Sequence, residues 1–152
     1  MRFSHFALFS PIIISTALAA PSAERIAQLF APLATGDAGP ALNQLLSPNI
    51  TWTVLGSALN GTYNLTGITD IVSAVTNAIN GTYKVNIVSV ISEGAEGTRS
   101  SVELKAAEGT VGKNGVPYDM EYAWVSEWEG ETIISNREHM DSALVDRFLG
   151  LN

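Results

Sequence analysis

The sequence predicts an α+β domain in which helices come first and one antiparallel sheet follows. Three observations carry this. Apolar residues recur at helical spacing as far as Asn80-Gly81 and at alternate positions after it. The later runs are joined by short glycine-bearing loops, the mark of antiparallel hairpins. A sheet with one apolar face then needs helices to cover it.

The elements follow in order. Residues 23–33 carry Ile26, Leu29, Phe30 and Leu33 on one helical stripe, with Ser22 placed to cap it. Gly36-Asp37-Ala38-Gly39-Pro40 interrupts, and Pro40 opens a second short helix through Leu45-Leu46 that Ser47-Pro48 ends. Residues 50–55 alternate, with Trp52 and Val54 on one face, and read as a strand. Residues 56–67 are polar and read as a loop. Ile68, Ile71, Val72, Val75 and Ile79 form the stripe of a third helix. Four long strands come next, at 84–92, 99–107, 118–128 and 132–140. Asp141-Ser142 caps a last helix over 143–149.

Composition excludes several classes. The 152 residues are 46% hydrophobic and 15% charged, which suits one globular domain. Eight Lys+Arg stand against 15 Asp+Glu, for a net charge of −7. A nucleic-acid binder needs clustered basic side chains, so no nucleic-acid partner is expected. With no cysteine there are no disulfides, no thiolate nucleophile and no cysteine-bound zinc.

The first residues, MRFSHFALFSPIIISTALAA, read as a secretory signal peptide. Arg2 precedes an apolar run, and Ala17-Leu18-Ala19 fits a small-residue cleavage pattern, with the cut after Ala19 or Ala20. That run is about 13 residues and holds Pro11, whereas a membrane-spanning helix needs roughly 20. The expected organisation is a leader over 1–19 and one secreted domain over 20–152, with no membrane partner once the leader is gone. Loss of Arg2 and His5 leaves a charge of −8 and His139 as the one histidine, so no metal site is expected. Asn49, Asn60, Asn64 and Asn80 each begin an N-x-Thr glycosylation sequon, in keeping with that route. Asn60-Gly61 and Asn80-Gly81 also read simply as turns.

Two segments resemble a known superfamily. Thr51-Trp52-Thr53-Val54 with Gly61-Thr62-Tyr63 and Gly67-Ile68 is one. Tyr122-Ala123-Trp124-Val125, Gly130, Ile133-Ile134 and Arg137-Glu138-His139-Met140-Asp141 is the other. Together with the element order they resemble NTF2-like proteins, and among these the SnoaL-like and ketosteroid-isomerase-like members. The resemblance implies a cone, a curved antiparallel sheet wrapped around N-terminal helices and a pocket. It also implies a homodimer. His139 stands where the family often has a tyrosine. Leu29, Val54 and Trp124 occupy the positions of a ketosteroid isomerase's tyrosine and two aspartates, so steroid isomerisation lacks its base and oxyanion donors.

Strand parity locates a candidate site, because residues i and i+2 share a sheet face. Met120, Tyr122, Trp124, Ser126 and Trp128 form the apolar, inward set of the third long strand. On the last strand Arg137 and His139 read as outward, which turns Asn136, Glu138 and Met140 inward. Trp52 and Val54 then close the pocket with Leu29 and Leu33, and Tyr63 serves as its lid. Val102, Val125 and Ile133 read as the outer face that pairs two copies. Glu138, Asn136 and Tyr122 are the candidate catalytic residues. A carboxylate among Trp and Met is desolvated, which raises its pKa and suits it to proton transfer. Trp52, Val54, Tyr63, Trp124, Ser126 and Met140 are the candidate substrate walls. The bland alternative pairs Glu138 with Tyr122 or Lys105 to fix the sheet. His139 beside Asp141 is a rival pair, although Asp141 also sits where a helix cap is wanted. No Gly-x-Ser-x-Gly nucleophile motif is present.

The expected function is an apolar pocket for a small hydrophobic molecule in a secreted, SnoaL-like protein. As an enzyme it would be a cofactor-free isomerase or cyclase of polyketide- or terpenoid-type substrates. The alternative is a non-catalytic extracellular ligand-binding or interaction module.

Overall fold

The computed structural model describes residues 19–56 and 58–151. The expected leader lies outside the described residues except for Ala19. Helix α1 (Ala23–Phe30) starts where Ser22 Oγ accepts the Arg25 N–H at 3.2 Å, and it buries Ile26 and Phe30. The stripe expected to run on as α-helix tightens into a 3-10 turn over Ala31–Thr35. Pro32 there lacks the N–H that an α-helix would use. Helix α2 (Ala38–Leu45) starts two residues before Pro40, which its first turn accommodates.

Strand β1 (Leu46–Leu55) begins earlier than expected and takes in Ser47-Pro48. Its register against the neighbouring strand slips between Leu46 and Thr51, so Pro48 falls where a regular ladder is interrupted. The expected loop contains a short strand, β2 (Gly61–Tyr63), pairing Trp52 with Tyr63. Asn64 then caps helix α3 (Leu65–Ala78), its Oδ1 accepting the Gly67 N–H at 2.9 Å.

Four strands follow: β3 (Val85–Ser92), β4 (Arg99–Ala106), β5 (Glu121–Glu129) and β6 (Thr132–Met140). Strand β5 starts three residues later than its alternation suggests. Met120 instead gives its carbonyl to Ala106, and Tyr118 N–H reaches Thr110. Helix α4 (Ser142–Leu149) closes the chain, with Asp141 Oδ1 accepting the Leu144 N–H at 3.1 Å.

The six strands form one open, curved sheet in the order β2-β1-β6-β5-β4-β3. All neighbours are antiparallel except β1 and β6, which run parallel and bring the first strand beside the last. The four long strands pair antiparallel as expected, and the parallel β1–β6 pair is an addition that hairpin logic could not have foreseen. The helices pack on the concave face over a core of Ile26, Phe30, Leu45, Trp52, Val54, Ile68, Leu104 and Trp128.

Two expected outer-face residues belong to the core. Val102 stands opposite the inward Trp124, and cross-strand partners share a face. Ile133 turns inward because an extra residue on β6 between Ser135 and Ile133 reverses the alternation opposite Glu127 and Trp128. Val125 is exposed, as expected, together with Val88 and Ile91 of β3.

Candidate functional site

Cross-strand register arranges the concave face in rows. Val102, Trp124, Glu138 and Val54 lie opposite one another on β4, β5, β6 and β1. One step along lie Ser100, Ser126, Asn136 and Trp52; one step the other way lie Leu104, Tyr122 and Met140. The parallel β1–β6 pair is therefore what sets Trp52 diagonally beside Glu138.

Glu138 is buried, 6% exposed, and both carboxyl oxygens are held. Trp52 Nε1–H donates to Oε2 and Trp124 Nε1–H donates to Oε1, each at 3.0 Å. The two indoles meet edge to face, with ring centroids 4.7 Å apart. Burial raises the carboxyl pKa above its ordinary value, and the two indole N–H groups, which favour the charged form, oppose that rise. The bland pairings expected for Glu138 do not form: Lys105 pairs with Glu121, and Tyr122 bonds to other tyrosines.

A cavity opens against Glu138. Its volume is about 70 Å³. Aliphatic side chains of α2 and α3 form one wall, and Tyr83, Tyr118, Tyr122, Trp124 and Met140 form the other. The tyrosine hydroxyls make a chain, with Tyr122 bonded to Tyr83 at 2.5 Å and to Tyr118 at 2.7 Å. Burial is the main cause that pushes the Tyr118 hydroxyl up to about 12 and those of Tyr83 and Tyr122 well above their ordinary value. All three stay protonated donors across the physiological range.

Of the expected site residues, Glu138, Tyr122, Trp124 and Met140 meet at this cavity, and Leu33 also lines it. Trp52 and Val54 are buried behind Glu138 rather than against the open space. Asn136 and Ser126 are corrected: they lie one row away, with Ser126 Oγ donating to Asn136 Oδ1 at 2.8 Å, and neither lines the cavity. Asn136 Nδ2 is buried without a hydrogen-bond partner. Tyr63 is corrected as a lid, since its hydroxyl donates to the Leu59 carbonyl at 2.7 Å within the β1–β2 turn. Leu29 packs against the core without lining the cavity. His139 is exposed on the opposite sheet face, and Asp141 serves as the α4 cap.

Tyr83 and Tyr118 were missed. Their signal was parity: Tyr118 alternates with Met120 and Tyr122, and Tyr83 with Val85. Among the described residues no cluster of His, Cys, Asp and Glu could hold a metal ion, and no helix is long and apolar enough to cross a membrane.

Neither a protein-family model nor a curated protein matches the chain. Solved structures do. An NTF2-like protein from Burkholderia thailandensis is 17% identical with a TM-score of 0.65, over 83% of this chain and 95% of that one. A Catenulispora acidiphila protein with a ketosteroid isomerase-like fold, in complex with trimethylamine, is 21% identical with a TM-score of 0.63, over 88% and 95%. PrhC from Penicillium brasilianum is 10% identical with a TM-score of 0.67, over 81% and 82%. At these identities the likeness is one of fold.

Proposed function

We propose, from a chain with the NTF2-like cone fold, a secreted small-molecule protein whose cavity holds a compact, largely apolar ligand against Glu138. The observation that carries this reading is a single buried carboxyl in a cavity otherwise lined by apolar and tyrosine side chains. The fold neighbours support a ligand-binding or isomerase-like domain in general terms.

In the catalytic form of this reading, Glu138 takes a proton from one ligand atom and returns it to another, without a cofactor. Tyr122, held by Tyr83 and Tyr118, donates to an oxygen of the ligand. About 70 Å³ is well under the roughly 300–1,000 Å³ of drug-sized sites. A polyketide- or terpenoid-sized substrate would therefore require α3, whose Ile71 and Val72 wall the cavity, to move outward. The binding-only alternative draws support from the placement of Asn136, which leaves Glu138 without the expected positioning partner in the cavity.

Native mass spectrometry of the secreted protein tests the reading. A co-purified small molecule is the expected result, and a doubled mass would extend the reading to two copies paired through the face bearing Val88, Ile91 and Val125. An empty protein whose indole fluorescence ignores small ketones and alcohols would overturn it.

The leader belongs to the same proposal. The Ala20 N–H donates to the Gly97 carbonyl at 2.8 Å, Ala20 is 5% exposed, and Ser92 Oγ donates to the Pro21 carbonyl at 2.7 Å. A cut after Ala19 keeps all of these, whereas a cut after Ala20 removes a buried residue. Amino-terminal sequencing of secreted protein is expected to begin at Ala20; a start at Pro21 would contradict this. All four sequon asparagines are exposed, so glycans can be carried without disturbing the core.

A further inference from the structure

The cavity is unbalanced in charge. Glu138 is its one charged lining residue among those described, and neither carboxyl oxygen is paired with a cation. The ion pairs among the described residues join Arg25 to Glu131 and Lys105 to Glu121, with all four side chains at the surface. Two neutral indole dipoles orient the carboxylate but cannot neutralise it, and a buried anion without a counter-charge is poorly compensated for its lost hydration.

The walls favour one kind of counter-charge. Trp124, Tyr83, Tyr118 and Tyr122 line the space, and aromatic faces carry the negative end of the ring quadrupole. The remaining wall, with Ile68, Ile71 and Val75, is aliphatic and offers nothing to a hydrated ion. Carboxylate, aromatic rings and aliphatic groups together suit a cation whose charge is wrapped in methyl or methylene groups. The volume suits a compact one, since a water centre needs roughly 10–15 Å³ and about 70 Å³ is available.

We propose that this cavity takes a small alkylammonium cation, with Glu138 as counter-ion and the surrounding aromatic side chains as its walls. This rests on the reading of the cavity as a ligand site and adds the sign of the ligand's charge. Trp52 takes part as a positioning residue, since it fixes Glu138 Oε2 without lining the cavity.

The test uses two probes of equal shape, choline and 3,3-dimethylbutan-1-ol, which differ by one atom and one charge. Each is titrated into the secreted protein at constant ionic strength and followed by indole fluorescence and calorimetry. Choline is expected to bind at least about tenfold more tightly. In Glu138→Gln that preference is expected to narrow to within about threefold. Equal binding of the two by wild-type protein would overturn the proposal while leaving the cavity reading intact. So would a preference that survives unchanged in a folded Glu138→Gln protein. Binding of neither probe would overturn both. The wild-type comparison stands by itself if the variant does not fold.

Discussion

Trp52→Ala is expected to lower the unfolding free energy by about 3–5 kcal/mol, the range for removing a large aromatic side chain from a core. Trp52 is 1% exposed and lies edge to face against Trp124, so the vacated space cannot be filled by solvent without disturbing its neighbours. The loss has a second part. The indole donates to Glu138, and without it a buried carboxylate oxygen has no partner. Trp52→Phe separates the two, because it keeps most of the volume and removes only the donor. It is expected to cost about 1.5–3 kcal/mol, the range for a hydrogen bond to a charged group. Urea denaturation of both variants checks this. Equal losses for Phe and Ala would show that the hydrogen bond, and not the packing, dominates.

Glu138 is expected to make the protein more stable in acid than its replacement would suggest. Its folded pKa lies above the ordinary 4.5, so the folded chain holds this proton more tightly than the unfolded chain does. The sign follows. The contribution is fully present below the ordinary value and is lost as pH rises through the raised folded value. Glu138→Gln cannot titrate. It carries a constant cost instead, because one indole N–H then faces an amide NH₂ in place of an oxygen. The melting temperature of Glu138→Gln relative to wild type is therefore expected to rise as pH is raised from acid to neutral. A difference that stays level with pH would mean that Glu138 keeps its ordinary pKa in the fold. Where a substrate is turned over, the same substitution is expected to cost about 10²–10⁴ in rate, the usual contribution of a positioned proton-transfer group.

Much of this site was legible before folding. Tyr122, Trp124, Glu138 and Met140 meet at the cavity because alternation along β5 and β6 is a local property of the chain, and desolvation of Glu138 followed from its neighbours' apolarity. Asn136 obeyed the same parity, yet inward is not the same as lining. Row position along the strand decides that, and the alternation of one strand holds no information about rows. Tyr63 was misread for a similar reason: its hydroxyl has a partner four residues back, at Leu59, which no period reveals. Ile133 failed through one extra residue on β6, since a single insertion exchanges the faces of everything beyond it.

By itself, the sequence determined the order of the α-helices and long strands, the inward faces of β5 and of β6 from Asn136 to Met140, the Ser22 and Asp141 caps, and the acid around which the site is built. These depend on spacing along a continuous chain and on what each side chain loses when it leaves water. Only the tertiary structure decided that β1 lies parallel to β6, that two tryptophans from distant strands hold Glu138, and that Tyr83 and Tyr118 complete the opposite wall. These contacts join residues far apart along the chain, 86 positions in the case of Trp52 and Glu138. Their register is set by the packing of the whole sheet against its helices, a cooperative outcome that no local period encodes.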